Sequence, residues 1–189
     1  MIINNKIKVT KTEIKDLLII EPKIFEDERG FFYESFSQQD FNEATGLNFQ
    51  FVQDNHSLSK RGILRGLHYQ LKNVQGKLVR VTSGSVFDVA VDLRYNSASF
   101  GKWFGQELSV DNRLQMWIPP GFAHGFLVLT DFAEFLYKTT DYYDPQSECC
   151  LIWNDNSLNI KWPLDKIHIP PQLNLRDLKG LKWNDAPKF

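Results

Sequence analysis

The sequence predicts an all-β domain, a sandwich or a barrel with few short helices. Three observations support this prediction. Apolar and polar residues alternate along many short segments, turn residues separate these segments, and few stretches have the periodicity of a helix. About ten such strands are typical of a sandwich or a small barrel, and a small barrel can hold one ligand in its mouth.

The alternating segments follow one another along most of the chain. Those that we interpret as strands or extended pieces are LLIIEPKIF (17–25), GFFYESF (30–36), FQFVQDNHS (49–57), GKWFGQELSV (101–110), RLQMWIPPGF (113–122), HGFLVLT (124–130), AEFLYKTTDYY (133–143) and, as the last strand, CCLIWND (149–155). The segment GKLVRVTSGSVFDVAVDLR (76–94) predicts a hairpin that turns at Ser83-Gly84. The segment QQDFNEATG (38–46) predicts a short helix ending at Gly46, and the tail after Trp162 is a candidate for another.

The chain is predicted to form one domain. It contains no internal repeat, low-complexity tract or linker, and its 189 residues suit a single compact unit. We expect an extended N-terminal region (residues 1–36) and a C-terminal tail (residues 163–189) to pack on the barrel.

The charge balance argues against a nucleic-acid partner. Lys and Arg number 22, Asp and Glu number 23, and the net charge is −1, whereas nucleic-acid binding needs a basic surface.

No stretch approaches the roughly 20 apolar residues of a membrane span, and the start, MIINNKIKV, has no secretory pattern. Cys149 and Cys150 are adjacent, which disfavours a disulfide between them. We therefore expect a cytoplasmic protein with no membrane partner.

The segment RGILRGLHYQ (61–70) contains a candidate catalytic residue. In a regular strand, Gly66, His68 and Gln70 share one face, and the small neighbour leaves space for a ligand beside the histidine. Arg65 would lie on the opposite face, so it meets the same ligand only if the strand is irregular. Gly66 is a plausible bulge site. The strand by itself favours a hydrogen-bonded core histidine over a catalytic one.

Two motifs resemble those of cupins. GILRGLH has the pattern G-x5-H, and PPGFAHGF (119–126) has the pattern P-x-G-x-x-H. Cupins are double-stranded β-helix barrels of the jelly-roll type, often with a metal bound by three histidines and a glutamate. Here Gln70 stands where a second histidine would follow His68, and no glutamate follows at the usual spacing. His68 and His124 alone are fewer than the three protein ligands of a catalytic zinc site, so we expect a barrel with no metal and no cofactor.

Further blocks narrow the resemblance. They are EPKIFEDERGFFYESF, FVQDNHS, LRGLHYQ, QGKLVRV, VFDVAVDLR, WIPPGFAHGF and EFLYKTTDYY. In this order they resemble the dTDP-4-dehydrorhamnose 3,5-epimerases, the isomerases of rhamnose biosynthesis. The resemblance implies a metal-free enzyme that inverts C3 and C5 of dTDP-4-dehydro-6-deoxy-D-glucose through an enolate and gives dTDP-4-dehydro-L-rhamnose.

This reaction needs a base for the proton beside the carbonyl, a donor to the enolate oxygen, and an acid on the opposite face of the sugar. By the resemblance, His68 is the base, Lys77 faces the C4 oxygen, and Tyr137 is the acid. The residues alone also fit a simpler interpretation, in which Lys77 lies on an edge strand and Tyr137 packs in a sheet.

A histidine base is expected to be oriented by a carboxylate. In the family this aspartate lies near the C-terminus in an L-S-x-K-D-like stretch. The matching stretch is LNLRD (173–177), with Asn174 and Arg176 in place of the serine and the lysine. The resemblance therefore implies that Asp177 orients His68.

The resemblance also implies a set of substrate contacts. Guanidinium groups suit a diphosphate because their donors match its oxygens, and aromatic rings suit a flat base. The implied contacts are Arg29 and Arg65 for the diphosphate, Glu34, Gln53 and Asn55 for polar groups of the nucleotide, Phe25 and Tyr143 for the thymidine, and His124 as a further substrate contact.

The family works as a homodimer in which the N-terminal segment of one subunit completes the neighbour's site, so we expect a homodimer here. Three other interpretations stay open at this point. They are an epimerase acting at C3 or C5 alone on a related nucleotide-linked 4-keto deoxysugar, a metal-dependent cupin oxygenase, and a cupin that binds a sugar nucleotide without catalysis.

Overall fold

The computed structural model describes residues 2–3 and 6–189, with side chains from residue 6 onward. Positions 1, 4 and 5 of the expected N-terminal region lie outside the described residues. The strands, numbered in chain order, are β1 (Ile2–Ile3), β2 (Ile7–Lys11), β3 (Leu18–Pro22), β4 (Phe25–Asp27), β5 (Gly30–Phe32), β6 (Gln53–Lys60), β7 (Leu64–Gln70), β8 (Lys77–Ser83), β9 (Ser85–Asp92), β10 (Trp103–Ser109), β11 (Gln115–Ile118), β12 (Phe122–Val128), β13 (Phe132–Thr139) and β14 (Glu148–Cys150). The helices are α1 (Gln38–Thr45) and α2 (Leu175–Leu178), and Leu164–Lys166 forms a 3-10 turn.

The strands form two antiparallel sheets and a ribbon. Within the described residues, the larger sheet has the order β1-β2-β3-β11-β8-β13-β6 and the smaller one the order β10-β9-β12-β7-β14, while β4 pairs with β5. Strands that are distant in the chain lie side by side, as β3 does with β11 and β7 with β14. The prediction of an all-β barrel with few short helices is confirmed.

The hairpin predicted at residues 76–94 is wrong. Its two halves are strands, β8 and β9, and Gly84 joins them. However, β8 pairs with β11 and β13, and β9 pairs with β10 and β12, so the two strands belong to different sheets. A turn residue marks where the chain reverses, whereas the partners of a strand are set by distant segments. The last predicted strand, residues 149–155, is also shorter than expected, since β14 ends at Cys150 and Leu151 makes a single bridge to Leu181.

Alternate residues of the same strand pack into different cores. On β12, Phe126 and Val128 belong to the core between the two sheets, whereas Ala123 and Leu127 pack on the outer side of the smaller sheet. The chain that follows β14, including the C-terminal tail, covers that outer side with Leu158, Trp162, Ile167 and Ala186. The smaller sheet is therefore buried on both faces, which explains why every residue of β12 is buried.

Helix α1 covers the outer face of the larger sheet. The Ser37 hydroxyl accepts a hydrogen bond from the Asp40 N–H, and Gly46 ends the helix with a φ of 71°, as predicted. Phe41 is buried and packs edge-on against Trp117, with the ring centroids 5.4 Å apart. No helix among the described residues is long and apolar enough to cross a membrane.

An irregularity at Gly66 lets β7 present two residues to one cavity. His68 pairs with His124 and Arg65 with Phe126, so β7 has one residue more than β12 over this stretch. Gly66 has a φ of +117°, and a Cβ there would lie 2.6 Å from the Cα of Gly125. The predicted bulge is confirmed, and its consequence is that Arg65 and His68 line the same cavity.

Replacing Gly66 with Ala should destabilise the protein by more than about 3 kcal/mol, because both the positive φ and the approach of β12 exclude a side chain. Gly46→Ala is the matched control. Gly46 also has a positive φ, but a Cβ there meets nothing within 4 Å, so the loss should be about 1 kcal/mol. The free energy of unfolding in urea, at one protein concentration, measures both. Equal losses would show that the close approach at Gly66 is unimportant.

Candidate active site

A cavity of about 400 Å³ lies between the two sheets. Its walls come from β7 and β12 of the smaller sheet and from β6, β8 and β13 of the larger one, and its volume is typical of small-molecule sites. Of the residues predicted for the site, those that line it are His68, Lys77, Tyr137, Arg65, Gln53, Asn55, His124 and Tyr143.

His68 lies on the cavity wall with Asp177 directly behind it. His68 Nε2 is 2.7 Å from Asp177 Oδ1, and the other oxygen of Asp177 accepts a hydrogen bond of 3.1 Å from the Gly66 N–H. Asp177 is fully buried, which by itself raises its pKa, but the bonds from His68 and Gly66 hold the pKa below its ordinary value. An ionised carboxylate only accepts, so His68 carries its hydrogen on Nε2 and leaves Nδ1 free to accept a proton.

The C-terminal tail carries Asp177 to this position. Gln172 pairs with Ile63 beside the start of β7, and the short helix α2 follows. The Asn174 side chain accepts a hydrogen bond of 2.8 Å from the Asp177 N–H and so caps α2. Asn is as good an N-cap as the serine of the family pattern. The presence of Asn174 in place of that serine therefore leaves the start of α2 capped.

Lys77 is a buried cation at the end of β8. Only 9% of the residue is exposed, and among the described residues its ammonium has no hydrogen bond or ion pair. The alternative of an edge-strand lysine is excluded, because β8 lies between β11 and β13. Burial lowers the pKa of Lys77 to about 8, although the charges of Asp88 and Glu148 favour the ammonium form.

Asp88 and His124 form a second buried pair beside Lys77. His124 Nε2 lies 2.9 Å and 3.0 Å from the two oxygens of Asp88, and Asp88 is fully buried. Burial raises the pKa of Asp88 and lowers the pKa of His124. Sequence reasoning missed Asp88, although a carboxylate among the valines of VFDVAVD was a signal.

Tyr137 lies on β13, in the sheet opposite His68. Its ring packs against Phe135, and its hydroxyl has no hydrogen-bond partner among the described residues. Burial, assisted by the charge of Glu148, raises the pKa of Tyr137. The phenol therefore stays protonated at neutral pH and can donate into the cavity.

Polar residues of β6 and β7 line the cavity beside these groups. Gln53 Nε2 donates to Asn55 Oδ1 at 2.9 Å, and Gln53 Oε1 accepts from the Tyr143 N–H at 3.1 Å. Arg65 Nε donates to Ser59 Oγ at 3.0 Å. The Nδ2 of Asn55 is buried with no hydrogen-bond partner among the described residues, so it is a donor available to a ligand.

Two charged residues that we had not predicted for the site also line the cavity. Arg176 forms an ion pair with Glu148, and its Nη2 lies 3.4 Å from His68 Nε2. The Tyr143 hydroxyl donates to the same Glu148 at 2.7 Å. The departure at position 176 was noted in the sequence, but nothing there indicated the contact with Glu148.

Three predicted substrate contacts lie elsewhere in this chain. Phe25 and Arg29 belong to the β4–β5 ribbon, where Arg29 is exposed and pairs with Asp27. Glu34 lies near Phe25 and forms an ion pair of 2.9 Å with Lys6. A single chain therefore does not bring these three residues to the cavity.

At the cupin metal positions the side chains have other partners. Gln70 Nε2 donates to the carbonyl oxygens of Asn73 and Tyr142, and its Oε1 accepts from the Asp144 N–H. His124 is held by Asp88. Gln70 thus fixes the loops that border the cavity.

The arrangement can move protons on two sides of a bound molecule. A histidine held by a carboxylate lies on one sheet and a protonated tyrosine on the other. An ammonium without a hydrogen-bond partner among the described residues lies in the same cavity. This combination suits removal of a proton beside a carbonyl, stabilisation of the resulting oxyanion, and return of a proton from the opposite side.

A comparison with known proteins identifies the family. A family model described as dTDP-4-dehydrorhamnose 3,5-epimerase matches residues 11–185. The chain belongs to this family. It is 56% identical over 182 residues to the dTDP-4-dehydrorhamnose 3,5-epimerase of Pseudomonas aeruginosa, an alignment that covers 96% of this chain and 99% of the relative.

Solved structures of this family and its relatives have the same fold. The crystal structure of dTDP-6-deoxy-D-glucose-3,5-epimerase from Legionella pneumophila, in complex with dTDP-4-keto-L-rhamnose, is 50% identical with a TM-score of 0.92 and covers 96% of this chain and 95% of that chain. A 3'-monoepimerase from Streptomyces bikiniensis, in complex with dTDP-quinovose, is 33% identical with a TM-score of 0.83 and covers 90% and 85%. The prediction of a cupin-type jelly-roll barrel is confirmed.

Replacing Asp88 with Asn should shift the pH dependence of catalysis. The charge of Asp88 favours the ammonium form of Lys77, so its loss should lower the pKa of Lys77 further. If the ammonium is needed, activity should fall off at a pH roughly one unit lower than in the unchanged enzyme. The alkaline limb of kcat/KM measures this. Glu107→Gln, which removes a carboxylate from β10, is the control and should leave the limb in place; an unmoved limb in Asp88→Asn would contradict the coupling.

Proposed function

We propose that this protein is a 3,5-epimerase that converts dTDP-4-dehydro-6-deoxy-D-glucose to dTDP-4-dehydro-L-rhamnose. The observation that carries the proposal is the His68–Asp177 pair on one wall of a cavity that also holds Lys77 and Tyr137. Full-length identity to enzymes of this name supports it, as does a relative solved with dTDP-4-keto-L-rhamnose. The protein acts on a small molecule.

His68 takes the first proton. The C4 ketone acidifies the hydrogens on C3 and C5, and Nδ1 of His68 removes one of them while Nε2 keeps its hydrogen bond to Asp177. The imidazolium that forms is stabilised by the buried carboxylate, and the electron pair of the broken C–H bond moves onto the C4 oxygen. Positioning of this kind by a general base contributes about 10²–10⁴ in rate.

Lys77 stabilises the enolate. Its ammonium has no partner among the described residues before the substrate binds, so it gains a favourable contact as the C4 oxygen becomes negative. A charge held ready in a buried site costs little reorganisation at the moment of reaction. The low pKa of about 8 reflects the cost of keeping it there.

Tyr137 returns a proton to the opposite face. It lies on the sheet opposite His68, and its raised pKa keeps the phenol protonated until a carbanion forms. Reprotonation on the face opposite to abstraction inverts the carbon. His68 then releases its proton to solvent, Tyr137 takes one from solvent, and the sugar is repositioned. The same three groups can now act on the second carbon.

The residues that line the cavity beside these groups bind the nucleotide. We assign Arg65 to the diphosphate and Gln53, Asn55 and Tyr143 to the nucleotide, because all four line the cavity. Asn55 has a free buried donor, and the exposed ring of Tyr143 is available for stacking. His124 remains a substrate contact.

A homodimer would complete the site. The β4–β5 ribbon is rich in exposed aromatic rings, with Phe25, Phe31 and Phe32 more than half exposed, and it carries Arg29 away from its own cavity. A ribbon of this kind is suited to insertion into a neighbouring subunit. We propose that the partner's ribbon and the segment that follows it bring Phe25, Arg29 and Glu34 to this cavity. We also propose a cytoplasmic location.

Incubation with dTDP-4-dehydro-6-deoxy-D-glucose in D₂O should introduce deuterium at both C3 and C5 of the sugar, detected by NMR. His68→Ala should lower exchange at both carbons by about 10²-fold or more while dTDP binding is kept. His168→Ala is the control, since this histidine is exposed on the tail, and it should exchange normally. Label at one carbon only would instead assign a single-site epimerase.

Mixing two inactive variants tests the shared site. His68→Ala removes the base, and Arg29→Ala removes a contact that the partner is proposed to supply. After subunit exchange, roughly a quarter of the sites should be intact, since half the dimers are mixed and each has one complete site. The matched control mixes His68→Ala with Asp177→Asn, two changes within one cavity, and should recover nothing. A monomeric protein, or no recovery in the first mixture, would refute the proposal.

A further inference from the structure

Three side chains that can bind a transition metal meet beneath the cavity. One ligand atom each of His68, Cys150 and Asp177 lies within 4.8 Å of the other two. They come from three elements, β7, β14 and α2, which are joined by the pairing of β7 with β14 and by the bonds of Asp177. The reaction proposed above gives no role to Cys150.

The spacing suits a small ion. Zinc binds nitrogen, sulfur and oxygen at about 2.0–2.3 Å, so tetrahedral ligands stand roughly 3.5 Å apart. The present distances are 2.7 Å from His68 to Asp177 and 4.0 Å from Cys150 to Asp177. The first distance must lengthen and the second shorten, each by less than about 1 Å. The third pair, His68 and Cys150, lies within 4.8 Å and must shorten by no more than about 1.3 Å.

The surroundings favour a thiophilic ion and limit access to one side. Cys150 and Asp177 are buried, so an ion reaches them from the cavity past His68. Arg176 opposes a cation, because its Nη2 lies 3.4 Å from His68 Nε2 and its Nε lies 3.6 Å from Asp177 Oδ1. Its ion pair with Glu148 gives the guanidinium a second partner to which it can move. Mg²⁺ prefers six oxygen ligands, so a thiolate, an imidazole nitrogen and one carboxylate oxygen suit it poorly.

We propose that His68, Cys150 and Asp177 form an inhibitory site for Zn²⁺ and related thiophilic divalent ions. The ion takes the thiolate, one carboxylate oxygen and Nε2, and leaves a fourth position to water. The thiol proton goes to solvent. The Nε2 hydrogen of the neutral ring is replaced by the metal, and the ring hydrogen then resides on Nδ1. The nitrogen that removes the substrate proton thereby loses its lone pair, and Asp177 no longer orients the ring.

The ion is an inhibitor and not a cofactor, so the inhibitory half of this inference rests on the function proposed above. The binding half does not, because it can be observed without substrate. The two are therefore tested by separate measurements.

Binding is tested with cobalt chloride and zinc chloride on the full chain. Co²⁺ should produce the near-ultraviolet absorption of a thiolate–cobalt bond, and Zn²⁺ should abolish it. Cys150→Ser and Cys150→Ala should lose this absorption and weaken zinc binding by at least about tenfold. Cys149→Ser is the matched control, since the neighbouring thiol is not part of the cluster, and it should behave like the unchanged protein. Equal absorption in the Cys150 variants, or its loss in Cys149→Ser, would overturn the site.

Inhibition is tested by the D₂O exchange reaction. Zinc should stop exchange in the unchanged protein and in Cys149→Ser, and the half-inhibiting concentration should rise at least about tenfold in the Cys150 variants. Mg²⁺ should have no effect. Zinc that binds through Cys150 without slowing exchange would overturn the inhibitory role, and a protein without epimerase activity would leave the cobalt result to decide the site.

Discussion

The buried carboxylate of Asp177 is the contact on which the rest of the site depends. One oxygen meets His68 and the other meets the backbone of Gly66. A buried charge without such partners would cost several kcal/mol, so the irregular strand, the histidine and the tail stabilise one another. The group that orients the base therefore also holds the bulge that turns Arg65 toward the same cavity.

Two histidines that line the cavity are each paired with a buried carboxylate, and the pKa values of the two carboxylates are shifted in opposite directions. At Asp177 the hydrogen bonds outweigh the effect of burial, and the pKa is lowered. At Asp88 burial outweighs the contacts with His124, and the pKa is raised. Lys77 lies near the second pair and has no partner among the described residues at hydrogen-bond distance. In the free protein, the ammonium of Lys77 is therefore destabilised by its loss of hydration. A negatively charged oxygen of a bound substrate can relieve this, so the enolate is stabilised more than the ketone.

Much of the fold was predictable, because period-two alternation and turn residues are local signals. The helix ending at Gly46 and the bulge at Gly66 followed from such signals. The partners of β8 and β9 did not, since the pairing of strands is decided by distant segments. In the site, His68, Lys77 and Tyr137 came from a resemblance of whole blocks. Glu148 and Arg176 were missed because their importance arises only from the way β14 and α2 meet.

The C-terminal tail has a consequence for how the enzyme matures. Its residues cover the outer face of the smaller sheet, and it carries Asp177. During synthesis the barrel strands leave the ribosome first and begin to pack before the tail is available. A nascent chain can therefore have its cavity walls in place while the base still lacks its carboxylate. Proton abstraction needs Asp177 in place, so a chain released before Asp177 is made would contain the barrel strands and His68 without the carboxylate that orients the base.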